Sequence, residues 1–424
     1  MRPVPNFAAD LLLTHIRQLY IVPGPGPLVG PEQADLEPIL DGIVAIEDGR
    51  VTFAGPGSEI ETQIIRTPRT QVVDLGLRHS VVPGFVDPHT HVVYAGNRLP
   101  ELRRRLAGES YADIAASDGG IVSTVEATRA ASAEELAAQT RVRLDEMLAA
   151  GTTTAEAKSG YGLDTATERR MLEVIRALDA EHAIDLVPTF LGAHDIPREF
   201  RGRQTEYVDL IVNEMLPACA PLAVWCDVFC ETGVFTPEES IRILRTGRAH
   251  GLKPRVHADE LGASGGSEVA SHVGAISADH LVHATAAGIE ALRSAGVMAT
   301  LLPCAAFFLK LGRFAPARQM IEAGVPVALA TDVNPGGGFS PSMPFAMSLA
   351  CFAMNLTFEE ALAAATLNAA ASLDLEDEIG SLEPGKLADA VIVRGDATEL
   401  LRVGSPAITA VIKRGTLVSG RYPD

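Results

Sequence analysis

Short apolar segments alternate with longer helical segments over most of the chain, and this alternation limits the possible folds more than any other feature. Strands of a buried parallel sheet are short and apolar, and helices connect one strand to the next. The segments with strand composition are VVPGFVDPHTH (81–91), GTTTAEAKS (151–159), IDLVPTFLGAH (184–194), LAVWCDVFCE (222–231), PRVHADE (254–260), SADHLVHA (277–284), GVMATLLP (296–303) and VPVALATDVNP (325–335). Eight such units predict a (β/α)8 TIM barrel, whose functional residues lie at the carboxyl ends of the strands. A doubly wound sheet is the alternative, but no glycine-rich phosphate fingerprint follows any of these strands.

Capping residues mark where helices begin between the strands. Ser132 followed by Glu135 forms a capping box and predicts a helix over residues 133–150. A second box begins at Thr236 and predicts a helix over residues 237–250. These signals support the prediction that strands and helices alternate in the middle of the chain.

Both ends of the chain differ in sequence pattern from the middle, with short alternating apolar runs separated by turns. In the first end, residues 1–78, the Asp48-Gly49 pair between two such runs predicts a tight hairpin, because glycine accepts the positive φ that this turn needs. The second end, residues 379–424, returns to the same pattern. We therefore predict one composite β-sandwich domain built from both ends, and a barrel domain over residues 79–378.

Composition excludes several classes of protein. With 424 residues, 47% of them apolar and 21% charged, the chain is a folded globular protein. The net charge of −19 argues against binding of nucleic acid or an anionic membrane. No run reaches the roughly 18 apolar residues of a membrane span, and the amino terminus lacks a secretory pattern. Five scattered cysteines indicate a reducing compartment, so we predict a cytoplasmic protein.

The segment VVPGFVDPHTH ends in two histidines at alternating positions. Side chains in extended backbone alternate faces, so His89 and His91 point the same way with Thr90 between them. Two imidazoles on one face suit a divalent metal that prefers nitrogen ligands. Taken alone, the pair is better explained as two polar residues in a loop. Cys226 and Cys230 offer another spacing for a metal, but their strand-like surroundings favour two buried thiols.

Further candidate ligands follow other predicted strands. Five of the 11 histidines, together with one aspartate, fall at or near strand ends: His89, His91, His194, His257, His280 and Asp332. In a barrel, these ends meet at one face. Their shared position favours a functional site over separate structural residues.

A mononuclear metal site can be assembled from His89, His91, His257 and Asp332. Mixed imidazole and carboxylate ligands suit Zn²⁺ or Fe²⁺ and leave room for a water molecule, which the metal would make acidic. Asp332 is placed to take the water proton. Glu260, three residues beyond His257, is the best candidate to carry a proton to a leaving nitrogen.

Several stretches together resemble the amidohydrolase superfamily and, within it, the imidazolonepropionase family. They are VDPHTHVVYAGNR (86–98), GGIVSTVEATRAAS (119–132), GTTTAEAKSGYGLD (151–164), TFLGAH (189–194), DVFCETGVF (227–235), HADE (257–260), ADHL (278–281) and ATDVNPG (330–336). The combination of AKSGYGLD with HADE is more discriminating than the two alternating histidines, which many amidohydrolases share. The resemblance implies a barrel with a composite β domain and hydrolysis of the ring amide of 4-imidazolone-5-propanoate to N-formimino-L-glutamate, in histidine degradation.

The resemblance also implies roles for individual residues. It implies one Zn or Fe ion bound by His89, His91, His257 and Asp332, and catalytic roles for Asp332, Glu260 and His280. Contacts with a small anionic heterocyclic substrate are implied for Arg98, Tyr161, His194, Glu260, Asn334, Gly336 and Gly337. A homodimer is implied as well.

The chemistry of two of these residues agrees with the implied roles. Arg98 offers a forked donor for the substrate carboxylate, although it also fits an ordinary surface charge like those of the neighbouring run 103–105. Tyr161 lies in a Ser-Gly-Tyr-Gly loop, where the glycines let the backbone approach a ligand. The alternative is that Tyr161 is an aromatic side chain packed within the loop.

Two positions depart from the family pattern. Gly337 stands where the family usually has a hydroxyl residue, and Cys304 follows the LLP turn, where a glycine is common. These departures put the substrate contact at 337 in doubt and keep a second function open, a different cyclic-amide hydrolase or a deaminase of the same superfamily. A non-catalytic scaffold is a third possibility, but such a protein is expected to lose the metal ligands, and this chain retains them.

Overall fold

A computed structural model describes residues 7–59, 64–109 and 120–423. Two sheets organise these residues, an eight-stranded parallel barrel and a separate eight-stranded sheet built from both ends of the chain. The fold class predicted from the sequence is therefore confirmed. The first residue of the stretch GGIVSTVEATRAAS, Gly119, lies outside the described residues.

The strands and helices follow one another in the alternation expected from the sequence. The strands are β1 (Phe7–Leu19), β2 (Ile39–Glu47), β3 (Arg50–Pro56), β4 (Ile64–Asp74), β5 (His79–Pro83), β6 (Phe85–Asp87), β7 (Thr152–Lys158), β8 (Asp185–Ala193), β9 (Trp225–Cys230), β10 (Lys253–Ala258), β11 (Ser277–His280), β12 (Met298–Leu301), β13 (Val327–Leu329), β14 (Ala390–Arg394), β15 (Ile408–Lys413) and β16 (Thr416–Gly420). The α-helices are α1 (Leu99–Leu106), α2 (Ile121–Ala130), α3 (Ala133–Ala149), α4 (Thr165–Asp179), α5 (Gln204–Leu210), α6 (Leu216–Cys219), α7 (Pro237–Ala249), α8 (Gly266–Val273), α9 (Ala286–Ala295), α10 (Pro303–Phe308), α11 (Ala317–Ala323), α12 (Met343–Met354), α13 (Phe358–Ala365) and α14 (Leu367–Ala371). Among the described residues, no helix is long and apolar enough to span a membrane.

The small sheet joins the two ends of the chain. Its strand order is β16-β15-β14-β5-β1-β2-β3, with β4 also pairing with β1. β5 pairs in parallel with β1 and antiparallel with β14, and so it connects the first end of the chain to the second. Asp48 and Gly49, at φ 48° and 76°, form the predicted hairpin turn between β2 and β3. The local turn signal was sufficient there because a two-residue turn depends on its own residues.

The barrel contains β6 to β13 in chain order, and each strand pairs in parallel with the next. Helices on the outside cover the strands. Both predicted capping boxes are present, at Ser132 before α3 and at Thr236 before α7. Each box satisfies backbone N–H groups that have no partner within the helix.

The chain passes from the small sheet to the barrel at Gly84, between β5 and β6. A Cβ atom on Gly84 would lie 2.5 Å from Oγ1 of Thr153, so a larger residue would not fit. The Gly84 N–H donates a hydrogen bond to the carbonyl of Asp389 at 2.9 Å, which ties this crossing to the second end of the chain. The domain boundaries at 78/79 and 378/379 stay predictions.

Backbone hydrogen bonds join the loops that follow the first and last barrel strands. The Asp332 N–H donates to the His89 carbonyl at 3.1 Å, and the His91 N–H donates to the Val333 carbonyl at 3.0 Å. The Thr331 hydroxyl donates to Asp87 Oδ2 at 2.5 Å. These bonds close the barrel at its carboxyl end and bring residues near position 90 beside residues near position 332.

Candidate metal centre and active-site cavity

Four predicted metal ligands converge at the carboxyl end of the barrel. His89 and His91 follow β6, His257 lies in β10, and Asp332 follows β13. Nε2 of His91 is 3.4 Å from Nε2 of His257 and 3.5 Å from Oδ1 of Asp332. Nε2 of His89 is 3.7 Å from the same Oδ1. The atoms that would bind a metal therefore face one another.

The donor atoms fit a divalent metal. Ligand atoms 2.0–2.1 Å from a tetrahedral ion are about 3.3 Å apart, close to the distances between these side chains. His89 Nε2 and Asp332 Oδ1 are buried and have no hydrogen-bond partner in the described structure, an arrangement that is costly unless something else satisfies them. Burial lowers the pKa of His89 and His91 well below the usual range, so both imidazoles are neutral and their lone pairs are available.

His194 and His280 stand on either side of this cluster. Nδ1 of His194 is 2.9 Å from the Gly160 carbonyl, and its ring stacks on His91 at 4.8 Å. The ring of His280 is 5.2 Å from that of His257. Both histidines also have nitrogens within metal-binding range of other members of the cluster. They are thus placed to act on a molecule bound at the metal centre.

Two residues of this cluster have unusual backbone. His280 has φ 74° and Asp332 has φ 52°, in the left-handed region that residues other than glycine rarely adopt. Surrounding structure must hold such residues in place, and they concentrate at functional sites.

A cavity of about 200 Å³ opens beside the cluster. The predicted site residues that line it are His91, Arg98, Tyr161, His194, His257, Glu260, His280, Asp332, Asn334, Gly336 and Gly337. His89 lies behind them and has no exposed surface. The structure thus places every predicted site residue in or directly behind one cavity.

Arg98 is a buried residue that precedes α1, unlike the exposed Arg103 within that helix. Its Nε donates to Oε2 of Glu101 at 2.8 Å, and Glu101 also accepts from the Gly120 N–H at 2.8 Å. The guanidinium lies against Gly336. The contacts orient a forked donor beside the cavity.

The loop after Asp332 is held by its own asparagine. Oδ1 of Asn334 accepts from the N–H groups of Gly336 and Gly337, at 2.8 and 2.6 Å. A Cβ atom on Gly337 would lie 3.1 Å from Cγ of Leu309. A side chain at position 337 would therefore contact Leu309, which would have to shift by a few tenths of an ångström to admit it.

Glu260 is a buried carboxyl group at the edge of the cavity. Burial, and then the charge of Glu231, raise the pKa of Glu260 to about 8. Its Oε1 lies 3.5 Å from Nδ1 of His280. Glu231 accepts from the Leu261 N–H at 2.8 Å and so holds the loop that carries Glu260. At neutral pH, Glu260 can therefore donate a proton.

Beneath the cluster lies a layer of charged residues that the sequence does not identify as part of the site. Asp279 lies 2.6 Å from His89, Asp227 lies 3.0 Å from His257, and Lys158 lies 2.7 Å from Asp227. Asp279, Asp227 and Lys158 all occur in the stretches ADHL, DVFCETGVF and AKSGYGLD, but no spacing rule distinguishes them from structural charges. Arg201 and Asp195, which line the cavity, were also missed.

A parallel barrel with a composite β domain, and imidazoles and a carboxylate at the strand ends, define a hydrolase of the amidohydrolase type. The amidohydrolase family profile matches residues 242–418. Solved structures with this fold include a zinc-bound adenosine deaminase from Xanthomonas campestris, with a TM-score of 0.70 and 19% identity over 97% of this chain and 93% of that one. The guanine deaminase of E. coli has a TM-score of 0.66 and 20% identity, over 97% and 99% of the two chains.

Curated relatives are closer in sequence. The chain is 47% identical over 423 residues to an imidazolonepropionase from Symbiobacterium thermophilum, covering 99% of this chain and 98% of the relative. It is 45% identical to an imidazolonepropionase from Alkaliphilus metalliredigens, over 96% and 98% of the two chains. The chain belongs to the imidazolonepropionase family. Both the family and the hydrolase class predicted from the sequence are confirmed.

Proposed function

We propose that this protein hydrolyses the ring amide of 4-imidazolone-5-propanoate to N-formimino-L-glutamate. One observation carries the proposal: the cluster of His89, His91, His257 and Asp332 opens on a cavity that also contains Arg98, in a chain with near-full-length relatives of that family. The ring amide would lie against the cluster and the propionate against the guanidinium, because a forked donor suits a carboxylate.

The four residues of the cluster would hold a single divalent ion, Zn²⁺ or Fe²⁺. Such an ion would polarise the ring carbonyl and make the attacking water more acidic. The neutral imidazoles and the buried carboxylate are the donor types that both metals accept.

The remaining chemistry falls to side chains around the cavity. Asp332 takes a proton as the water oxygen bonds to the ring carbonyl carbon, and His280 stabilises the negative charge that develops on the carbonyl oxygen. Cleavage of the ring C–N bond leaves a carboxylate and a nitrogen that needs a proton. Glu260 supplies that proton, because its pKa of about 8 keeps it protonated at neutral pH. Tyr161 and His194 would orient the ring from the same cavity wall.

The proposal extends to the surroundings of the enzyme. The substrate is a small anion, and the protein acts as a homodimer in the cytoplasm. All five cysteines are free, which agrees with a reducing compartment.

Turnover of the substrate by protein of known metal content tests the proposal. Purified protein loaded with Zn²⁺ or Fe²⁺ should consume 4-imidazolone-5-propanoate and produce N-formimino-L-glutamate, identified by mass spectrometry. Hydantoins, other lactams and aminated heterocycles are assayed in parallel, with ammonia release as the signal of deamination. A folded, metal-loaded sample that leaves the imidazolone unchanged would contradict the proposal.

A further inference from the structure

Five charged side chains without exposed surface form one connected group beneath the metal centre. They are Glu156, Lys158, Asp227, Arg255 and Asp279. Nζ of Lys158 is 2.6 Å from Oε1 of Glu156 and 2.7 Å from Oδ2 of Asp227. The same ammonium is 4.0 Å from Oδ2 of Asp279, which Nη2 of Arg255 approaches at 3.4 Å. Lys158 is thus the cation that all three carboxylates share.

Two of these carboxylates also reach ligand imidazoles. Oδ2 of Asp279 is 2.6 Å from Nδ1 of His89, and Oδ2 of Asp227 is 3.0 Å from Nδ1 of His257. A carboxylate at Nδ1 keeps the proton on that nitrogen, so the lone pair of Nε2 is free to face a metal. The oxygen that touches each imidazole is also the one that faces Lys158.

We propose that Lys158 is a positioning residue for the metal centre, holding Asp227 and Asp279 against His257 and His89. Without the ammonium, three buried carboxylates would face one another with only Arg255 to balance them. Like charges at short range and low dielectric repel strongly, so the two aspartates would move from their imidazoles. This inference rests on the proposed ligand set, and it adds a residue that touches neither metal nor substrate.

Metal affinity of the purified protein, measured by chelator competition with Zn²⁺, tests the inference. Lys158→Met should weaken zinc binding about 10- to 100-fold, the usual effect of disturbing the outer partners of metal ligands. Glu156→Gln/Lys158→Met removes one negative and one positive charge together, so it guards against failure to fold from an unpaired buried charge. Circular dichroism and melting of the metal-free proteins report folding separately.

Lys413 supplies a matched control. It is also a buried lysine, 2.8 Å from Asp389 and 2.7 Å from Asp185, but these carboxylates lie where the barrel meets the small sheet. Lys413→Met should keep the zinc affinity of the natural protein. The comparison separates a general cost of removing a buried lysine from a specific effect on the metal centre.

The outcomes distinguish this inference from the ligand assignment. If His257→Ala keeps its zinc affinity, the ligand set is wrong. If His257→Ala loses zinc while a folded Lys158 variant binds it as the natural protein does, only the role of Lys158 is wrong. Failure of both Lys158 variants to fold, with Lys413→Met folded, would assign Lys158 to barrel stability and would also overturn the inference.

Discussion

Gly336 lies so close to Arg98 that a Cβ atom on it would be 2.0 Å from Nη1 of the guanidinium. On another side, Glu101 accepts a hydrogen bond from Nε of Arg98 at 2.8 Å. The carbonyl of Gly336 in turn accepts from Nη2 of Arg105 at 2.5 Å. The loop that follows the ligand Asp332 therefore also orients the cation that we propose for the substrate carboxylate.

Replacing Arg98 by lysine should weaken substrate binding although the charge is kept. An ammonium cannot reproduce a forked pair of hydrogen bonds, and loss of such contacts to a charged group costs about 1.5–3 kcal/mol. We expect KM for imidazolonepropanoate to rise about 10- to 100-fold, measured by steady-state kinetics. Arg103→Lys, at an exposed position of the helix α1 that follows Arg98, is the control. An unchanged KM in Arg98→Lys would remove Arg98 from the substrate site.

Adding one methyl group at Gly336 should have a similar effect. Gly336→Ala must displace the guanidinium of Arg98, so KM should rise by about the same factor as in Arg98→Lys. Gly337→Ala meets only the flexible side chain of Leu309, at 3.1 Å, and should change KM less than about threefold. Because the first effect acts through Arg98, Gly336→Ala should add little in an Arg98→Met background. Fully additive effects would show that Gly336 acts independently.

The pH dependence of kcat should report the proton on Glu260. Burial and the charge of Glu231 raise its pKa to about 8, so activity should fall as pH rises through this value and the acid is lost. Glu231→Gln removes a neighbouring negative charge, which lowers the pKa of Glu260 and should move the basic limb to lower pH. Ser264→Ala removes a contact of Glu231 but keeps the charge of Glu231, so the basic limb of its pH profile should not move. If the basic limb of Glu231→Gln lies at the same pH as that of the natural protein, this account is wrong.

Stability in acid should depend on Glu360, away from the site. Burial alone would raise its pKa, but the Arg318 guanidinium at 2.5 Å and the Thr357 N–H outweigh it and the pKa is lowered. Because the folded pKa is the lower one, ionised Glu360 stabilises the fold above the unfolded pKa of about 4.3 and this contribution is lost as pH falls through the folded pKa.

Urea unfolding of Glu360→Gln measures this contribution. At pH 7, the free energy of unfolding should fall by about 1 kcal/mol, a value that allows for solvent screening on the partly exposed Arg318 side of the pair. The difference from the natural protein should shrink below the unfolded pKa. Glu359→Gln, in the same helical turn, removes an equal charge without an ion pair in the described structure and should have a smaller effect. A difference that does not change with pH would show that ionisation is not its cause.

Local signals account for what could be predicted from sequence. The Asp48-Gly49 hairpin and the capping boxes at Ser132 and Thr236 were predicted because each depends on residues a few positions apart. Strand composition predicted the barrel, and the barrel in turn predicted that histidines after different strands would meet. The matched stretches added roles for residues such as Arg98 and Glu260, whose burial no local pattern indicates.

By itself, the sequence determined the order of strands and helices, the composite β domain, and which side chains stand at the carboxyl end of the barrel. Only the tertiary structure decided how those side chains are held: Lys158 between Asp227 and Asp279, and Arg98 against Gly336. The physical reason is distance along the chain. Periodicity and capping act between near neighbours, whereas a buried ion pair or a close contact joins residues tens to hundreds of positions apart, and a charged residue in a sequence does not show which partner it will meet.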